Sequence, residues 1–161
     1  MKRTISLGLL LAVVVVCGCR KSTTYTGPDG SKATVSRSGK NVEIKVEGKD
    51  GGTWKAAGGG GSVALPEGFP TDVPIYPGAK VATSMKTGDA MHATLQTPDA
   101  ADKVSAFYKE KMKANGWELK TTMDMGQGTM LMGAKAGQGL NAMIARGDEG
   151  TTVSLTVTKE K

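Results

Sequence analysis

Period-two alternation of apolar and polar residues runs through most of this chain. Val42, Ile44 and Val46 alternate with Glu43, Lys45 and Glu47, which predicts a half-buried strand. Turn residues bracket it at Gly27-Pro28-Asp29-Gly30, Ser38-Gly39 and Lys49-Asp50-Gly51-Gly52, so Tyr25 to Trp54 reads as a short β-meander. Further on, Ala79, Val81, Thr83 and Met85 share one parity, and Met91, Ala93 and Leu95 share another across a turn at Gly88-Asp89. Trp117, Leu119, Thr121, Met123 and Met125 follow with a single parity, which assigns the two methionines to the apolar face. A Gly126-Gln127-Gly128 turn leads to Thr129–Ala134, then come Leu140, Ala142 and Ile144, and last Val153, Leu155 and Val157. Short glycine-rich links imply antiparallel hairpins.

One stretch departs from that period. Val104, Phe107, Tyr108, Lys111 and Met112 fall at helical spacing, with Thr97-Pro98-Asp99 as a start signal and Asn115-Gly116 as a stop. The prediction is an α+β domain of order ββαββββ, an antiparallel sheet with one helix on one face, preceded by the N-terminal β-meander. Two segments fit neither period. Ala56-Ala57-Gly58-Gly59-Gly60-Gly61-Ser62 reads as a flexible linker. Prolines at 66, 70, 74 and 77 make residues 65–78 a stiff extended strap, with Phe69 and Tyr76 as its candidate handles for a partner.

The first twenty residues change the picture. Lys2 and Arg3 precede the uncharged run Ile5 to Val16, which has the form of an export signal and is shorter than the roughly 20 apolar residues of a membrane span. Val16-Cys17-Gly18-Cys19 resembles a bacterial lipobox, with Gly18 at the cleavage position. That resemblance implies cleavage before Cys19, a diacylglycerol thioether on its sulfur and an N-acyl chain such as palmitate on its new amine. It also implies the cell envelope and, since Arg20 rather than Asp follows, the outer membrane facing the periplasm in a diderm host. The expected organisation is 1–18 signal peptide, 19–57 membrane-proximal meander or spacer, 58–64 linker and 65–161 α+β domain.

Charge agrees with that placement. Residues 19–64 hold eight basic and four acidic side chains, while residues 65–161 hold eleven of each. The excess lies beside the anchor, where a basic residue contributes about 1 kcal/mol against anionic lipid. The basic residues are scattered without aromatic interleaving, so nucleic acid is not expected as a partner.

Little else points to chemistry. His92 is the one histidine, both cysteines lie at 17 and 19, and no paired-carboxylate or phosphate-loop pattern occurs. An enzyme is not expected, nor any cofactor beyond the lipid on Cys19. Met123, Met125, Met130 and Met132 form two Met-x-Met pairs on a hairpin, a set of soft thioethers suited to Cu(I). Met85, Met91, Met123 and Met125 fall on the apolar parity of their strands and Met112 on the apolar helix face, which favours core packing over a metal site.

Phe69-Pro-Thr-Asp-Val-Pro-Ile-Tyr-Pro-Gly-Ala79, with Val104-x-x-Phe-Tyr108 and Asn115-Gly-Trp117, resembles an uncharacterised bacterial lipoprotein domain with an FPxDVPxYPGA strap. The overall order is similar to helix-grip or PsbP-like folds. The expectation is therefore a lipid-anchored envelope protein with a non-catalytic interaction or structural role and an envelope protein as partner. The rival is a periplasmic small-ligand or Cu(I)-binding protein.

Overall fold

The alternating segments pair into one antiparallel sheet. The structure, a computed structural model, describes residues 21–147 and 149–159; the export segment and Cys19 lie outside them. Its elements are β1 (Lys21–Thr26), β2 (Lys32–Ser38), β3 (Asn41–Glu47), β4 (Thr53–Gly58), β5 (Lys80–Thr87), β6 (Ala90–Thr97), α1 (Ala101–Ala114), β7 (Glu118–Asp124), β8 (Gly128–Lys135), β9 (Gln138–Gly147) and β10 (Gly150–Lys159). The sheet order is β1-β2-β3-β4-β5-β6-β10-β9-β8-β7. Among the described residues no helix is long and apolar enough to cross a membrane.

The antiparallel sheet with one helix agrees with the α+β expectation, but ββαββββ is too small for it. From Lys80 on the elements do run in that order, yet the sheet has ten strands. The reason is the pairing of β4 with β5, from Thr53↔Lys86 to Ala56↔Thr83, which joins the meander to the main sheet. Ala56, Ala57 and Gly58 belong to β4 rather than to a loose tether. After them the chain turns at once: a Cβ on Gly59, at φ +68, would lie within 1.9 Å of the Lys40 carbonyl oxygen. The Val63 amide then donates to the Val81 carbonyl at 2.9 Å, so the strap starts against β5.

Helix α1 covers one face of the sheet, touching β7, β8, β9 and β10. Val104, Tyr108 and Met112 are fully buried against Leu131, Ile144, Leu155 and Leu95. The helix starts later than Thr97-Pro98 suggests: its N-cap is Ala100, without a side-chain cap. The Thr97 side chain is buried instead, and its hydroxyl accepts from the Asp99 amide at 3.4 Å. The stop is where the sequence places it. Gly116, at φ +84, follows the Asn115 C-cap, and the Trp117 amide reaches back to the Met112 carbonyl at 2.9 Å.

The strap closes the same face at two points. Asp72 forms the first: its carbonyl accepts from Asn115 Nδ2 at 2.8 Å and Trp117 Nε1 at 3.1 Å, while its carboxylate meets Lys135 Nζ at 2.6 Å. At the second, the Tyr76 hydroxyl donates to Asp99 Oδ2 at 2.5 Å, and its ring packs edge-on against Phe107 at 5.0 Å. The Asp, Tyr and Gly-Trp positions of the strap motif are thus fastenings between strap, helix end and sheet.

Candidate functional site

Among the described residues the sheet face away from α1 has no second layer over it, and cross-strand registers show which residues share it. One row runs Tyr25, Ala33, Val46, Trp54, Met85, His92, Thr156, Asn141, Met132, Thr121 across all ten strands. The adjacent row runs Thr23, Val35, Ile44, Ala56, Thr83, Thr94, Ser154, Met143, Met130, Met123. The face is thus apolar over β1–β4, polar across β6 and β10, and methionine-rich over β7–β9.

Two β-bulges make it so. The β5–β6 register slips between Val81 and Thr83, so Val81 and Ser84 turn inward and Met85 turns out. The β7–β8 register slips between Leu119 and Thr121, which moves Thr121 and Met123 to the outer face. One extra residue reverses every later side chain in a strand. The core assignment of Met85, Met123 and Met125 fails for this reason. These three, with Met132 and Met143, are 40–48% exposed. Met112 alone among the described methionines is fully buried.

The register brings part of the hairpin set together and adds a member. Met123 lies opposite Met130, and Met130 lies opposite Met143, so three thioethers stand side by side on adjacent strands. Directly opposed side chains have Cβ atoms about 4.5–5.5 Å apart, within reach for flexible methionines. Asn141 Nδ2 donates to Met130 Sδ at 3.9 Å. Met132 lies in the next row, and Met125 follows the end of β7 in the turn. Met143 escapes a reading by Met-x-Met motifs because its partner is distant in sequence.

The polar centre is a ring of hydroxyls around His92. Its Nδ1 meets Thr156 Oγ1 at 3.0 Å, and its Nε2 meets Thr94 Oγ1 at 3.1 Å and Ser154 Oγ at 3.5 Å. Burial against the sheet pushes the imidazole pKa below its usual 6.5. Ser154 thus approaches a histidine 62 residues away, a contact with no sequence spacing to betray it. All three partners of the ring are hydroxyls, and the residues of β6 beside it pair with β5 on one side and β10 on the other. Met91, the residue beside His92, points to the opposite face and cannot share a ligand with it.

Two open clefts flank the sheet. The larger, about 500 Å³, lies at the ends of β6 and β10 against Lys80, Gln96, Thr97, Glu149 and Thr152. The smaller, about 200 Å³, lies between Ser36, Asn41 and Ser62. No group of three or more His, Cys, Asp or Glu suited to a metal occurs among the described residues.

The strap candidates point inward. Tyr76 is buried, and Phe69 packs half-buried against the core. The Tyr108 hydroxyl has no hydrogen-bond partner among the described residues, and burial pushes its pKa well above the usual 10. The nearby Tyr76 backbone amide opposes that shift. Cys19, the expected lipid site, precedes the described residues.

No curated protein and no solved structure matches this chain. A family model described as START domain-like matches residues 79–160, from the end of the strap through β10. That span is just over half of the 161 residues and holds α1, its sheet face and the methionine row. On this match the chain belongs to the START domain-like family.

Proposed function

We propose that this protein is a lipid-anchored cell-envelope protein, held at Cys19, that acts without catalysis as an interaction module for an envelope protein. The observation that carries the reading is the exposed methionine face of β7–β9. Methionine is flexible and polarisable, and exposed clusters of it suit docking surfaces that must adapt to a partner. Family membership raises small-ligand binding as the competing class. A helix-grip domain would hold such a ligand between helix and sheet. Here Tyr108, Met112, Trp117, Leu95, Leu131, Ile144 and Leu155 fill that space, each 2% exposed or less.

The test is in-cell crosslinking of the full lipoprotein, followed by mass spectrometry, with Cys19→Ala and Met143→Lys variants alongside. One dominant partner, captured by the parent and lost in both variants, supports the reading. No reproducible partner, or capture indifferent to Met143→Lys, overturns it. The Met123–Met130–Met143 row favours a second reading, a Cu(I) site of thioethers. Replacing all three by leucine separates the two. Leucine preserves an apolar docking surface but removes every sulfur, so Cu(I) binding is lost while partner capture survives.

A further inference from the structure

The other end of the same face has its own chemistry. Tyr25, Ala33, Val35, Val42, Ile44, Val46, Trp54 and Ala56 stand together on β1–β4 with no layer over them among the described residues. Tyr25 and Trp54 are exposed, two amphipathic rings of the kind found at membrane–water interfaces. The opposite face of these strands is polar, with Thr24, Thr34, Glu43, Lys45, Glu47 and Lys55. The meander is therefore amphipathic as a unit.

Two cations end the apolar patch. Lys21 lies directly opposite Arg37, in line with Val42 on the same face. Like charges directly opposite each other destabilise a strand pair unless an anion lies between them. The chain outside the structure says which anion is near. The sequence places only Arg20 between Cys19 and the first residue of β1, so the backbone of the lipid-bearing Cys19 lies within about 7 Å of that of Lys21.

We propose that the outer face of β1–β4 lies on an anionic bilayer, with Lys21 and Arg37 on lipid phosphates and Tyr25 and Trp54 in the headgroup layer. The proposal rests on the lipid anchor at Cys19, and it adds an orientation that the anchor alone does not dictate. Six strand steps separate β3 from β8. At roughly 20–25° of twist per step the methionine end turns by about 120–150° from the meander face. Laying the meander on the membrane thus aims the methionine face away from it.

The experiment uses the full acylated chain in vesicles of phosphatidylethanolamine with 30 mol% phosphatidylglycerol, with dibrominated lipid replacing part of the acyl pool. Bromine quenches only tryptophan near the acyl boundary, and a Trp54→Phe variant supplies the signal of Trp117 alone. The expected result is at least a two-fold loss of the Trp54 component, relieved in a Lys21→Glu/Arg37→Glu variant. Unquenched Trp54 in protein that floats with the vesicles overturns the proposal and leaves the anchor intact. Failure to float, with no lipid on Cys19 by mass spectrometry, overturns the anchor instead. A concentration-dependent dimer that buries Trp54 and persists on the vesicles would assign this face to a second copy, which also overturns the proposal.

Discussion

Gly133 sits in the middle of β8 between Leu119 of β7 and Leu140 of β9, on the face covered by α1. A Cβ there would lie 2.9 Å from Met112 Cε, 3.4 Å from the Glu118 carbonyl oxygen and 3.5 Å from Trp117 Cβ. The glycine lets the last turn of the helix approach the sheet. Gly133→Ala forces Met112 to withdraw, and Met112 is fully buried with little room to do so. Overpacking of this kind costs about 1–3 kcal/mol, offset by about 0.4–1 kcal/mol from a stiffer unfolded chain. The expected net loss is about 1–2 kcal/mol, a fall in Tm of several degrees. Gly133→Val also presses on Glu118 and Trp117 and should lose about 3 kcal/mol or more. Met112→Ala alone opens a cavity and costs about 2–5 kcal/mol. Combined with Gly133→Ala, it makes room for the new methyl, so the double variant should lose less than the sum by about 0.5–2 kcal/mol. Urea denaturation of the four chains, followed by far-UV circular dichroism, measures the cycle. Strict additivity, or a Gly133→Ala chain as stable as the parent, would refute the close approach.

Two further predictions concern polar groups. Tyr108→Phe removes a buried hydroxyl that lacks a partner, and it should raise stability by about 1 kcal/mol in the same assay; a loss of that size would show the hydroxyl satisfied. His92 has a depressed pKa, so below its ordinary value of 6.5 the unfolded chain binds the proton more readily. Its contribution to stability is therefore complete above about pH 6.5 and declines as the pH falls. Thermal unfolding from pH 8 to pH 5 should show a decline that His92→Gln reduces; identical slopes in both chains would sink the assignment.

How far the fold could be read in advance depended on the range of the interaction behind each feature. Period-two alternation marked the strands, and Asn115-Gly116 marked the end of α1, because both signals act within a few residues. Thr97 does not cap α1, which starts after Ala100, since the Thr97 side chain is drawn inward beside Leu95, on the helix-covered face of β6. Met91 and Met112 lie where their parity places them, facing the helix side. The outward methionines do not, and they now form the candidate site.

By itself the sequence determined the strands, the single helix, the rigid strap and an N-terminal segment with the form of an export signal and lipobox. Local steric preference and local hydrophobic period are enough for each of these. Tertiary structure alone decided that β4 pairs with β5 to make one ten-stranded sheet, and that bulges at Val81/Thr83 and Leu119/Thr121 reverse the faces beyond them. It also decided that Met143 joins Met123 and Met130, and that Ser154 and Thr156 meet His92. A strand carries its alternation in its own residues. Its register, and hence which face any side chain occupies, belongs to the pair of strands and is settled only when distant segments meet.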